Sequence, residues 1–360
     1  MIPDLTHIAA PMVNQSDAPF RLLTRRYGAT LAYTQMLDPN KLLHDRDYLD
    51  FYLRDLECLH SDWMGHSRPV VVQLCGNDPD VVVKAAKKLQ AHCDAIDLNL
   101  GCPQDRARDG HFGGYLLGKK DWPLVESIVS AMSNSLIVPT SAKIRLCPSS
   151  TPPATTLEFG RRLEHAGASW TTLHARHVSA RRRRQGSADL NAVRALKEVL
   201  TVPVVSNGNV RAFSDVQRNR EYTRADGIMV GETLLGNPCL FSGSYIPDPV
   251  HIALEYLDIC RLFPGVATIG SVQTHVRHVV EFQCARRTWY SKFRLALNDS
   301  KSVDDIETLL QTKVRRWRGK ASKEVYGEVS QEDSSVDDKG DASDYFYLPL
   351  DDTNNPQTSP

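Results

Sequence analysis

Short apolar runs alternate with amphipathic stretches along the first two thirds of the chain. The runs are 7–10, 31–34, 70–74, 95–98, 141–145, 170–174, 203–206 and 227–230. Between them, 20–27, 81–93, 125–132, 157–165 and 190–200 repeat apolar residues at helical spacing. Strands that alternate with helices predict a parallel sheet, and eight such units predict a closed α/β architecture, the (β/α)8 TIM barrel. A doubly wound sheet would want a GxGxxG turn after its first strand, and none is present.

The pattern changes after Pro249. Residues 251–262, 272–284 and 287–297 read as amphipathic helices, with a weaker fourth over 303–314. The division this predicts is a barrel over 1–245, a small all-α helical domain over 246–318, and a disordered acidic tail over 319–360.

Charge sharpens that division. The net charge of the 360 residues is zero, yet 321–360 holds ten acidic residues and two lysines, so the first 320 residues carry +8. A basic body fits an anionic partner, and nucleic acid is the obvious class. Arg277, Arg286, Arg287, Lys292, Arg294, Lys313, Arg315, Arg316 and Arg318 are mixed with Trp289, Tyr290, Phe293 and Trp317. That mixture suits RNA, and equally suits solvated helix faces over an aromatic core. Arg181, Arg182, Arg183 and Arg184 fall in the loop after the sixth strand.

Eight cysteines occur without a CxxC pair, which favours a reducing compartment, cytoplasm or nucleus. No signal peptide and no membrane-spanning run is expected. Cys58, His60 and His66 match no closed zinc spacing, so no metal is expected.

Function in such a barrel sits at the C-terminal ends of the strands. Those ends read as Pro11-Met12, Gln35, Gln73, Asn99 with Cys102, Lys143 with Arg145, His174 with Arg176, Asn207-Gly208-Asn209, and Gly231. The loops after strands seven and eight precede helix starts near Ser214 and Glu232, which is the usual phosphate cradle of these barrels. Asn99-Leu100-Gly101-Cys102-Pro103 presents a thiol on a stiff turn. It reads either as a reactive group at the mouth or as a small buried hydrophobe.

Taken in order, Ala10-Pro11-Met12, Gln73, the run from Asp97 to Gln104, Lys143-Ile144-Arg145, His174-Ala175-Arg176 and Ser206-Asn207-Gly208-Asn209 closely resemble the tRNA-dihydrouridine synthases. These are FMN-dependent barrels that reduce uridine in tRNA. The resemblance implies FMN as cofactor, NADPH or NADH as hydride donor, and a monomer acting on tRNA. It implies that Pro11, Met12 and Val13 pack at the flavin ring, that Gln73 and Lys143 hydrogen-bond its heteroatoms, and that His174 lines it. Asn207, Gly208, Asn209, Gly231 and Glu232 would surround the ribityl and phosphate. Cys102 would be the catalytic acid, with Asn99, Arg145 and Arg176 toward the substrate.

Ala175 stands where the family commonly has glycine, and Glu232 where it often has arginine. The acid at 232, Asp97-Leu98-Asn99-Leu100 and Gly110-His111-Phe112-Gly113 resemble the branch acting on tRNA positions 16 and 17. The alternatives are the 20a/20b branch, a barrel that binds tRNA without chemistry, and a flavin barrel for a free pyrimidine.

Overall fold

A computed structural model describes residues 1–57, 68–148, 152–180 and 186–319. Eight strands close into one parallel barrel in chain order. They are β1 His7–Ala9, β2 Leu31–Leu37, β3 Val70–Leu74, β4 Ala95–Leu100, β5 Thr140–Arg145, β6 Trp170–His174, β7 Val204–Asn207 and β8 Gly227–Val230. β1 pairs β8 to complete the circle. The runs are apolar because most of their residues are covered on both faces, by the barrel interior and by the outer helices. β8 must begin with glycine, since a Cβ at Gly227 would stand 1.7 Å from the Leu5 carbonyl oxygen.

The barrel interior is filled in two levels. Ile8, Leu31, Tyr33, Val71, Ala95, Trp170, Val205 and Met229 form an apolar plug. Trp170 Nε1 donates to the Tyr33 hydroxyl at 3.2 Å within it. Further along the strands the buried residues turn polar, with Gln73, Asp97, Asn99, Ser141, Arg145, Thr172 and Asn207.

Three helices start where an aspartate cap directly precedes proline. Asp38-Pro39, Asp78-Pro79 and Asp248-Pro249 each accept backbone N–H groups of the first turn through the Asp side chain. The helix predicted to start near Ser214 is Phe213–Thr223. β2 runs three residues further than predicted, with a register shift between Tyr33 and Met36, so Gln35 lies inside the strand and not at its end.

The C-terminal helices are Pro249–Leu262, Ile269–Cys284 and Tyr290–Asp299. The stretch read as one weak helix is Val303–Thr308 followed by a π-helical Leu309–Val314, and Arg315–Gly319 continues it. Asp17, which caps the helix Ala18–Arg26 beside the barrel, joins this region to the rest. Its carboxylate accepts from Ser271 Oγ at 2.6 Å, His275 Nε2 at 3.1 Å and Phe20 N at 2.9 Å. Phe20 and His275 stack at 4.6 Å, and Tyr27 donates to Glu255 at 2.6 Å.

Arg181 to Arg184, the Cys58, His60 and His66 group, and the acidic tail lie outside the described residues.

Candidate active site at the strand ends

β4 ends in a turn that Asn99 closes on itself. Its Oδ1 accepts the N–H of Gly101 at 3.0 Å and of Cys102 at 2.9 Å. The thiol that follows is 8% exposed and lies 3.8 Å from Gln104 Oε1. Gly113 and Gly114 pack directly over it, and the Gly114 N–H donates to the Cys102 carbonyl at 3.1 Å. Gly113 has φ +63°, and a Cβ there would lie 3.0 Å from Cys102 Cβ. Burial pushes the thiol above its ordinary value, while the Gln104 backbone and the Arg106, Arg145 and Lys143 charges pull the other way. Cys102 is therefore a protonated thiol at neutral pH.

Register brings the other strand-end residues beside it. Asn99 pairs with Lys143, and Lys143 with Thr172. Arg145 pairs with His174, and His174 with Asn207. Lys143 is partly buried, and its ammonium makes no hydrogen bond or ion pair among the described residues. Burial, helped by Arg145, pulls it down to about 8, against the pull of Asp97. His174 lies well below its usual value because it is desolvated and faces Lys143, Arg145 and Arg176, so its imidazole is neutral. Arg145 spends Nη1 on the carbonyls of His177 at 2.9 Å and Ala180 at 3.0 Å, and so props the loop after β6.

The two last loops meet the first. A Cβ at Gly231 would stand 3.5 Å from both Ala10 Cβ and Met12 Sδ. Pro11, Met12 and Val13 are partly buried there, and Met12 N–H donates to Ser16 Oγ at 2.8 Å. Thr233 Oγ1 donates to the Val210 carbonyl at 2.6 Å, tying the short helix Glu232–Gly236 to the β7 loop. Asn207 donates to the Met229 carbonyl at 2.8 Å. Gly208 has φ +123°, so this turn needs glycine. The Asn209 side chain clamps the Ala188 backbone at 2.7 and 2.8 Å.

Two residues without a role in the sequence reading, Asp97 and Ser141, belong to this layer. Asp97 accepts from Ser141 Oγ at 2.6 Å and from Gln73 Nε2 at 2.8 Å. Burial pushes its carboxyl up to about 6, against those hydrogen bonds and Lys143. Among the described residues no group of three or more His, Cys, Asp or Glu could hold a metal, and no helix is long and apolar enough to cross a membrane.

The sequence pattern of the dihydrouridine synthase (Dus) family matches residues 8–316. The chain belongs to the dihydrouridine synthase family. A tRNA-dihydrouridine(16/17) synthase-like protein of Mus musculus is 39% identical over 270 residues, which is 75% of this chain and 54% of that protein. The corresponding synthase of Schizosaccharomyces pombe is 30% identical over 350 residues, 95% of this chain and 85% of that one. A 20a/20b synthase-like protein of Mus musculus is 31% identical over 261 residues, 71% of this chain and 74% of that protein. The chain spans little more than half the length of the mammalian 16/17 relatives it matches. The old yellow enzyme of Trypanosoma cruzi superposes with a TM-score of 0.50 at 12% identity, covering 72% of this chain and 94% of that one, a likeness of barrel fold.

Proposed function

We propose that this chain reduces uridine to 5,6-dihydrouridine in the D-loop of tRNA, at positions 16 and 17, using FMN and NADPH or NADH. The observation that carries the reading is the protonated Cys102 thiol, turned by Asn99 to the end of β4 beside the unpaired Lys143 ammonium. The greater identity to the mouse 16/17 relative, 39%, than to the mouse 20a/20b relative, 31%, supports the choice of position.

The strand ends fit a flavin. A partly buried cation without a hydrogen bond, a neutral imidazole and the glycine turns at Gly208 and Gly231 stand at the ends of β5, β6, β7 and β8. Lys143 and Gln73 would hold the ring, and His174 its edge. Asn207, Gly208, Asn209 and Gly231 would hold the ribityl chain and phosphate, with Glu232 at the start of the short helix. When bound, FMN would pass a hydride from the nicotinamide to C6 of the uracil.

The chain's own residues supply the rest. Saturating C5=C6 needs a proton at C5, and Cys102 holds one on Sγ. Desolvation keeps that proton in place at rest. The Arg106, Arg145 and Lys143 charges then ease formation of the thiolate left behind. Asn99 and Arg176 would orient the base. Bringing a stacked nucleotide to this mouth costs a few kcal/mol.

Contacts to phosphates would offset part of that cost. Arg286, Arg287, Lys292, Lys313, Arg315 and Arg316 are exposed and make no ion pair among the described residues. In the same helices Arg261 is held by Asp258 at 3.2 Å and Asp304 at 2.7 Å. The Trp289 and Trp317 rings among these basic residues lie 6.2 Å apart and stacked. We assign barrel residues 1–245 to the chemistry and helices 246–318 to the RNA, in the compartments where tRNA matures.

The test is to incubate the purified chain with unmodified tRNA and NADPH and to map dihydrouridine. Product at 16 and 17 supports the reading, and product at 20a or 20b would move the chain to the other branch. No product from a flavin-loaded preparation would leave a binding protein.

A further inference from the structure

Four buried side chains form an unbroken line of hydrogen bonds that ends on the Cys102 turn. Ser141 Oγ donates to Asp97 Oδ1 at 2.6 Å, and Gln73 Nε2 to Asp97 Oδ2 at 2.8 Å. Asn99 Nδ2 donates to Gln73 Oε1 at 2.8 Å, and Asn99 Oδ1 takes the N–H groups of Gly101 and Cys102. None of the four is more than 8% exposed. The direction of the line is forced from both ends. Two backbone donors at one end require an amide oxygen from Asn99. Its NH2 must then face Gln73, which must answer with oxygen, and the Gln73 NH2 must find an acceptor. An ionised carboxylate is acceptor-only, so Asp97 closes the line without a mismatch.

We propose that Asp97 is a positioning residue that sets the direction of this line and so fixes what Asn99 shows the barrel mouth. Both lone pairs of the Asn99 oxygen are taken by the turn. One N–H is taken by Gln73. What remains for a ligand is a single N–H donor. Asn99 therefore selects a group that accepts, a carbonyl oxygen or an unprotonated ring nitrogen, and gives nothing to an N–H or amino group. Applied to the uridine reduction proposed above, on which this last step rests, the carbonyl edge of the base meets Asn99. An amino-bearing pyrimidine presented in the same pose is refused.

An exchange of acid and amide tests the direction itself. In Asn99→Asp, the new carboxylate still takes the two turn N–H groups but cannot donate to Gln73. Gln73 then lies between two acceptors and must turn its oxygen on one of them. In Asp97→Asn, the new oxygen can face Gln73 while the hydroxyl of Ser141 accepts from the new NH2, so little is lost. In the double variant, the amide introduced at position 97 gives its NH2 to the Gln73 oxygen and accepts from Ser141. The Gln73 NH2 then faces the carboxylate introduced at position 99. The line runs the reversed way with every group paired.

Thermal unfolding of the four flavin-free proteins at pH 8 reads this cycle. Asn99→Asp is expected to lower Tm by about 4 °C or more. Asp97→Asn should have a small effect, and the double variant should recover most of the loss. A double variant as unstable as Asn99→Asp, or an Asn99→Asp protein as stable as the parent, would overturn the assignment. A role in packing alone produces no such reciprocal rescue.

A second measurement reads the donor. The double variant regains its stability but has no side-chain N–H at position 99. Its turnover of unmodified tRNA in flavin-loaded form should fall about 10²-fold. Parental turnover in that variant would overturn the donor assignment. If the parent itself reduces no tRNA, the proposed function fails, while the unfolding cycle still decides the role of Asp97.

Discussion

The side-chain oxygen of Asn99 holds the backbone N–H of Cys102 at 2.9 Å, so the residue that ends β4 also aims the thiol that follows it. Replacing Asn99 by alanine leaves two turn donors and the Gln73 oxygen without partners. The expected cost is about 1–3 kcal/mol of stability. Iodoacetamide should label Cys102 faster in that variant, as peptide mass spectrometry would show. Parental labelling and parental urea midpoints together would mean that the turn holds itself.

Gly113 sits at φ +63°, and a Cβ there would lie 3.0 Å from Cys102 Cβ. Gly113→Ala should cost about 1 kcal/mol for the backbone conformation and press a methyl on the cysteine. Flavin reduction by NADPH should be unaffected, while reoxidation by tRNA slows. Stopped-flow traces of the two half-reactions separate these effects. Equal slowing of both would place the damage outside the thiol loop.

Lys143 is pulled down to about 8 by burial and Arg145. Its charge is present below that value and lost above it. The flavin-free protein should therefore bind FMN more weakly as pH rises through about 8, and Lys143→Ala should bind weakly at every pH. Fluorescence titration of FMN reads both. An affinity flat from pH 7 to 9.5 would remove the ammonium from flavin binding.

The barrel was legible because strands such as Val70–Leu74 are buried along their whole length, so their apolar runs are continuous. Cys102, Lys143 and His174 stood out because each closes or follows such a run. Asp97 carried no comparable signal. Its partners Gln73 and Ser141 lie 24 and 44 residues away, and only closure of the sheet brings them together. Gln35 read as a strand end because polarity mimics an ending, whereas β2 continues through a register shift to Leu37. Asn209 read only as a turn residue with a ligand role, and its bonds to the Ala188 backbone, a partner on a distant loop, carried no signal in the sequence.

Asp17 ties the barrel to the helices that follow it. Burial alone would raise its carboxyl, but the His275 charge and the hydrogen bonds from His275, Ser271 and Phe20 hold it below the usual range. Asp17→Ala should cost about 3–5 kcal/mol, since it strands buried partners. A depressed carboxylate contributes its stability above the unfolded-state value and loses it as pH falls. The gap between parent and variant should thus be full near neutrality and shrink below about pH 4. Urea unfolding across pH 3 to 7 measures it, and a gap that stays constant to pH 3 would contradict the ionised pairing.

The most direct measurement is a single turnover of Cys102→Ala. The variant should keep its fold, FMN and tRNA, and NADPH should still bleach its flavin, because that half-reaction takes no proton from Sγ. Under anaerobic conditions, pre-reduced variant mixed with unmodified tRNA should reoxidise about 10²–10⁴-fold more slowly than the parent. Parental rates in the alanine variant would contradict the assignment and leave Cys102 a buried cysteine in a turn.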